Sequence, residues 1–318
     1  MTVITGTGAA VRGVHRPADL LLDLLPPGGD DPVTRLKGRG LRYKDRATKL
    51  ALCAGGDALA EAGLLLDPGL AVPGESVGVV ASTNYGNVDT VCATVSVIAE
   101  SGYGATSPMM LPATASNVTA SWLAISYGLR GVNLTLCNGG TSGLDALHWA
   151  RTMIDAGRVE RMLVVGVEPA NEMVERLAGP VFDGAVALVL ESAGSAAARG
   201  ARPLARLDGY ARRGTHGQAV AAVLGPSPAV GLWCAPERRE VSQVDGARVH
   251  DLTALLGPCS GALGVAQCVA GAAWLGAGGR GDVLASTTGP DAAAAALLTS
   301  AGTSPATPAR PATAGAAR

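Results

Sequence analysis

The chain has 318 residues, 48% of them hydrophobic and 16% charged, with a formal net charge of −1 at pH 7. That is ample material for a large buried core, as one big domain or two fused halves. The balanced charge excludes the electrostatic footprint of a nucleic-acid or anionic-membrane binder and leaves small molecules and proteins as partners.

The opening MTVITGTGAAVRG has no basic segment followed by an apolar run, so it reads as a strand and turn, not a signal peptide. No run of about 18 apolar residues proposes a membrane span. Cysteines at 53, 92, 137, 234, 259 and 268 are scattered, without a C-x-x-C pair or clustered histidines. The expectation is a cytoplasmic protein with reduced thiols, no metal and no cofactor. One phenylalanine, Phe182, against 44 glycines predicts close helix–sheet packing of small side chains.

In chain order, Val3 and Ile4 begin a strand, followed by a Pro/Gly-rich excursion over 26–31 and a basic segment, RLKGRGLRYKDRATK. Ala47, Leu50, Ala51, Ala54, Ala58 and Leu59 recur at helical spacing over 45–62, and Gly63 stops the run. SVGVVAST (76–83) reads as a buried strand. Val88, Val91, Cys92, Val95 and Ile98 then predict a helix with one apolar face. Residues 116–131 read as a helix ending at Gly128 or Gly131.

LTLCNGGTSG (134–143) combines a β-type run, a glycine pair and a helical pattern over 141–156. Such a strand, elbow and helix directs backbone N–H groups at a substrate and favours a thiolate or an anion there. At the elbow stands Gly140, which has no side chain. RMLVVGVEP (161–169) predicts a strand and a loop, and GAVALVLES (184–192) a strand buried on both faces. Strands alternating with helices imply an α/β fold with βαβ units.

Residues 194–202 read as a linker. A strand at 203–210, a glycine-rich helix at 260–275 and a last strand at 282–286 follow, and the Ala/Thr/Pro-rich end from Ser300 is expected to be disordered.

The order of these segments resembles the β-ketoacyl synthases, a family with the thiolase fold. RYKDRATKLALCAGGDALAEAGL is similar to the family's first long helix, and VGVVASTNYGN to its next strand and glycine turn. SPMMLPATASNVTASWLAISYGLRGVNLTL resembles the dimer-interface region leading into the nucleophile strand, and VFDGAVALVLE the close of the first half. The resemblance spans 1–192, and 250–290 more faintly through LGPCSGALGVAQCVAGA and ASTTGP. It implies an α/β thiolase-like fold, layered α-β-α-β-α from two related halves with the second shortened. The expected organisation is 1–194 as an N-terminal half with the dimer interface, 203–299 as a C-terminal half, and 300–318 as a disordered tail.

The family's chemistry uses a cysteine that takes an acyl chain from a carrier protein, and two histidines that support decarboxylation and the enolate oxygen. By resemblance the cysteine position is Gly140 and the later histidine position is Pro258. The family's Gly-Phe-Gly-Gly turn reduces to TTGP at Gly289, and the middle histidine has no counterpart, His250 being nearest. Catalytic residues are therefore expected to be absent. By the same resemblance Met109, Met110, Thr114 and Asn117 lie at a partner interface, and Val88, Val91, Cys92 and Val95 line an acyl tunnel, ordinary core packing being the alternative for that stripe.

Other residues have plainer readings. Cys137, on a strand, is expected to point into the core, and Cys259 to sit in the vacated site; either as a substitute nucleophile is the alternative. Thr141 and Ser142 are expected to bond the helix backbone, His148 to pack in a core or interface, and His216 to lie on a solvated loop. No carboxylate pair calls for acid–base work, and GTGAAVRG lacks the full dinucleotide fingerprint.

The pattern resembles the chain length factors of type II polyketide synthases. It implies a heterodimer with an active ketosynthase, an acyl carrier protein as second partner, and a polyketide chain in a shared tunnel. The alternatives are a divergent acyltransferase using Cys137 or Cys259, and a homodimeric acyl-binding or structural protein.

Overall fold

The computed structural model describes residues 1–67, 69–224, 229–237 and 244–302. Most of the expected disordered tail, from 303 onward, lies outside the described residues.

The first half contains β1 (Thr2–Val11), α1 (Arg46–Glu61), a small hairpin of β2 (Leu65–Leu66) and β3 (Gly69–Leu70), then β4 (Val77–Ser82), α2 (Val88–Ser101), α3 (Val118–Tyr127) and β5 (Asn133–Leu136). It continues with α4 (Ser142–Asp155), β6 (Arg161–Glu168), α5 (Glu172–Ala178) and β7 (Gly184–Ser192). The expected linker begins as a short helix, α6 (Ala193–Ala198), because Ser192 caps it by accepting the Ser195 N–H. The second half contains β8 (Ala205–Arg213), α7 (His216–Val223), β9 (Val230–Cys234), β10 (Arg248–His250), α8 (Leu252–Leu256), α9 (Leu263–Gly276), β11 (Asp282–Thr288) and β12 (Ala293–Thr299).

Ten strands form one sheet in the order β10-β9-β11-β12-β8-β1-β7-β6-β4-β5. The order is the same in both halves. In each, the first strand pairs antiparallel with the last, the last antiparallel with the fourth, and the fourth parallel with the second, which is parallel to the third. The halves join where Thr2, Val3 and Ile4 of β1 pair with Leu207, Arg206 and Ala205 of β8.

Helices α4 and α9 each pack against strands of both halves, α1 and α3 cover the outside of the first half, and α7 the outside of the second. The result is the expected five-layered α-β-α-β-α arrangement. The central layer holds the largest core, including Leu144, Leu147, Met162, Leu188, Leu263, Val269 and Val283. A second core lies under α1 and α3, and a third under α7 around Trp233.

Small side chains set the layer spacing, as composition implied. A Cβ at Gly8 would meet the Ala54 carbonyl oxygen at 2.2 Å, and one at Gly6 the Ala58 carbonyl at 2.3 Å. The GTG of β1 is therefore a seat for α1 and not a nucleotide loop. Strand β7 is buried on both faces as expected, although its neighbours β1 and β6 both run antiparallel to it. Its buried Glu191 accepts from Arg161 Nε at 3.1 Å, Thr5 Oγ1 at 2.6 Å and the Arg199 guanidinium. These contacts tie β1, β6, β7 and the end of α6 together.

β11 was expected to be the last strand, but β12 follows it. The run AAAALLT has no period-2 pattern and its alanines favour helix. Inserted between β11 and β8, it takes strand geometry from its neighbours, and its flat alanines leave room for α4 and α7.

Candidate functional site

Strand β5 ends at Leu136, and the chain turns through Gly139, with φ +76°, into a 3₁₀ turn over Gly139–Thr141 and then α4. The positive φ at Gly139 favours glycine. Gly140 is restricted by space instead. A Cβ there would lie 2.2 Å from the Thr288 carbonyl oxygen and 3.6 Å from the Gly289 Cα. The end of β11 thus occupies the volume that a nucleophilic side chain would need.

The loop beginning at Pro258 closes the same place from another side. Asn84, just after β4, donates Nδ2–H to the Gly139 carbonyl at 3.1 Å and to Ser260 Oγ at 2.8 Å, and its Oδ1 accepts the Gly139 N–H at 3.1 Å. Ser260 has φ +46°, the only positive value at a non-glycine residue among the described residues. Gly140 lies against Gly289, and Ser260 is linked to Gly139 through Asn84, so these segments form a hydrogen-bonded plug.

Beneath the plug lies Glu168, with no exposed surface, at the end of β6. Its Oε1 accepts N–H from Asn84 at 2.8 Å and Gly261 at 3.0 Å, and its Oε2 accepts from Thr83 Oγ1 and the Tyr85 N–H, both at 3.0 Å. Burial pushes this carboxyl up to about 7, against the pull of those four donors. The sequence signal for it was slight: one acid closing a strand that is apolar from Met162 to Val167.

Neither candidate thiol is activated. Cys137 does not point into the core, because β5 ends one residue earlier; it is exposed and donates to the Asn84 carbonyl at 3.7 Å. Partial burial and the Glu168 charge push its thiol up. Cys259 is fully buried, donates to the Gly257 carbonyl at 3.2 Å, and is pushed far above the usual thiol range by burial.

Of the histidines and hydroxyls, His216, Thr141 and Ser142 differ from expectation. His250 lies on β10 with Nε2 2.7 Å from the Leu20 carbonyl oxygen, a structural contact. His148 is exposed on α4, its ring stacked on Tyr210 at 4.3 Å, because that helix face looks out between the halves. His216 is not on a solvated loop: it opens α7, 8% exposed, with neither ring nitrogen paired, and burial lowers its pKa. Thr141 Oγ1 donates to the Asp145 carboxylate at 2.9 Å and not to backbone, Tyr210 donates to the same carboxylate, and Ser142 Oγ is buried unpaired.

Helix α2 has no buried residue. Val88, Val91 and Cys92 are half-buried and Val95 is exposed, so that stripe does not form core within this chain. Met109 is 62% exposed, Met110 and Thr114 are half-buried, and Asn117 is exposed. Asn87 fastens this loop to the start of α2 by donating to the Ala113 and Ala115 carbonyls at 2.7 and 3.0 Å. Among the described residues, strand β5 pairs only with β4 and leaves its outer edge open.

Two topologically equivalent halves sharing a central helix pair, with a strand, elbow and helix start at their junction, define a thiolase-like fold. Residues 28–196 match the family model described as the beta-ketoacyl synthase N-terminal domain. That is more than half of the chain, and the protein belongs to the β-ketoacyl synthase family. It is 29% identical over 211 residues to 3-oxoacyl-[acyl-carrier-protein] synthase 2 of Vibrio harveyi, covering 58% of this chain and 50% of that one. The corresponding enzyme of Vibrio cholerae is 26% identical over 213 residues, 58% and 51% of the two chains. The chain spans about half the length of the curated relatives it matches. Among solved structures, the ishigamide ketosynthase/chain length factor superposes with a TM-score of 0.75 at 23% identity, covering 94% of this chain and 99% of that one. A type II PKS acyl-carrier protein in complex with its ketosynthase bound to the hexaketide gives 0.75 at 17% identity, with the same coverage.

Proposed function

We propose that the chain is a non-catalytic ketosynthase-like subunit, a chain length factor, that pairs with an active β-ketoacyl synthase in the cytoplasm. The observation that carries this reading is the closed elbow: the carbonyl of Thr288 fills the space of a side chain at Gly140. Pro258 in the later histidine's place and the unactivated thiols support it. Gly140 itself has no side chain to hold an acyl chain.

Pairing in this reading uses the open edge of β5 with Met109, Met110, Thr114 and Asn117, and the half-buried stripe Val88, Val91, Cys92 and Val95 becomes the wall of a tunnel completed by the partner. The carrier protein delivers to the partner's cysteine, and the space beside α2 limits how far the polyketide grows. The halves at 1–194 and 203–299 act as one scaffold for that wall.

The test is co-expression with a neighbouring ketosynthase, then size-exclusion chromatography and intact-mass analysis after adding acyl-carrier thioester. A one-to-one complex with acyl mass on the partner alone is expected. Acyl mass on this chain, lost on Cys137→Ser or Cys259→Ser, would make it an acyltransferase and overturn the reading.

A further inference from the structure

The cleft between the outward face of α4 and the end of β8 has no part in the pairing reading. Residues of α4 and the turn before it line one side, and Tyr210, Arg212 and Arg213 the other, around about 670 Å³. That volume is in the range of small-molecule sites. Strand β8 stands five positions from β5 in the sheet, roughly 24 Å away at about 4.8 Å per strand, so a partner on the open edge leaves this wall clear.

The floor of the cleft is formed in advance. The buried Asp145 carboxylate accepts from Thr141 Oγ1 at 2.9 Å and from Asn138 and Tyr210, which fixes the phenol ring. His148 lies on that ring at 4.3 Å with the planes 9° apart. Partial burial lowers the His148 pKa, so its ring is neutral at pH 7. Trp149, 45% exposed, stands beside it, with centroids 6.4 Å apart and planes 55° apart. The two rings form a corner. A flat ring set there stacks on one and meets the other at an angle, the arrangements that aromatic pairs prefer, whereas a puckered saturated ring gains neither.

The two cations on the opposite wall differ. Arg212 lies 3.7 Å from the Asp145 carboxylate and 3.5 Å from that of Asp291. Arg213 donates Nη1–H to the Arg212 carbonyl at 2.8 Å and, among the described residues, has no carboxylate partner. Its remaining N–H groups can take a planar carboxylate as a fork, which an uncharged head does not match. We infer that this cleft binds a flat aromatic carboxylate, its rings in the corner of His148 and Trp149 and its acid on Arg213. The site goes beyond the function proposed above and belongs to the chain by itself, whether or not it pairs.

The test is isothermal titration of the full chain with 2-naphthoate, 2-naphthamide and decahydro-2-naphthoate. Naphthoate should bind; the amide should bind up to about fivefold weaker for want of a charge, and the saturated acid about fivefold weaker for want of flat faces. Arg213→Gln should bring naphthoate down to the affinity of the amide, and Trp149→Leu should bring it down to that of the saturated acid. Both residues are exposed, so neither change should lower the melting temperature. No heat of binding from naphthoate at millimolar concentration, equal affinity for acid and amide, or binding indifferent to Trp149→Leu would each overturn the inference.

Discussion

The elbow and helix α2 treat side-chain volume in opposite ways. At Gly140 there is no room for a methyl group, because a main-chain carbonyl already stands there. Along α2 there is room on both faces, and no residue is buried. In the proposed reading the contrast separates two tasks: the elbow is sealed from within, and the surface beside α2 is left open. The two regions are held by different side chains: Asn84 fastens the elbow, Glu168 the turn that leads into α2, and Asn87 the loop beside that helix.

The sharpest way to break this comparison is to remove Glu168, which holds the 83–85 turn and Gly261 between the two regions. Glu168→Ala leaves four donors without their acceptor and should cost at least about 3 kcal/mol by urea unfolding. Intact stability in that variant would show that the socket does not hold the loops.

Next is the pH profile. The folded pKa of Glu168, about 7, lies above its unfolded value, so the fold favours the protonated acid. Stability should be greatest below the unfolded pKa, fall as pH rises through about 7 by at most about 1.4 kcal/mol per pH unit, and level off above it. Glu168→Gln should remove that slope. A slope of opposite sign would mean that the four donors keep the carboxylate ionised.

At the elbow, Gly140→Cys should destabilise by about 1–3 kcal/mol through overpacking and gain no acyl mass from a thioester. Acylation of that variant would show that the end of β11 moves aside and would reopen the catalytic reading. The smallest effect on stability is expected on α2. Val95→Phe should change it by less than about 0.5 kcal/mol, yet shorten the products of the co-expressed complex in mass spectrometry. Unchanged products would remove α2 from the tunnel wall.

The sequence disclosed the first half well, because its elements carry strong local signals. Asp45 caps α1 by accepting the Thr48 N–H, Gly128 ends α3 in the left-handed conformation, and the apolar runs of β4, β6 and β7 have turn residues at their ends. The second half was less legible for physical reasons. Strand β12 is mostly alanine and has no face to read. His216 looks polar and loop-like, but α7 turns it onto Trp233. At the site, glycine positions could be aligned from the sequence, but the carbonyl that fills the space beside Gly140 comes from a residue 148 positions later. Glu168 was missed because its partners are mostly backbone N–H groups, which no residue pattern records.

The carbonyl of Thr288 also bears on how the elbow could regain a nucleophile. Replacing one residue in an otherwise open active site can be undone by one codon change. Here the space beside position 140 is filled by the path of the main chain, so a cysteine placed there meets an obstacle that its own mutation cannot remove. Restoring the site would first require displacing the end of β11, and with it the β12 pairing that begins at Thr288 and Ala293. In the reading proposed above, the closed elbow acts as a ratchet: the surfaces around it can go on changing, but a single substitution at the elbow does not reopen it.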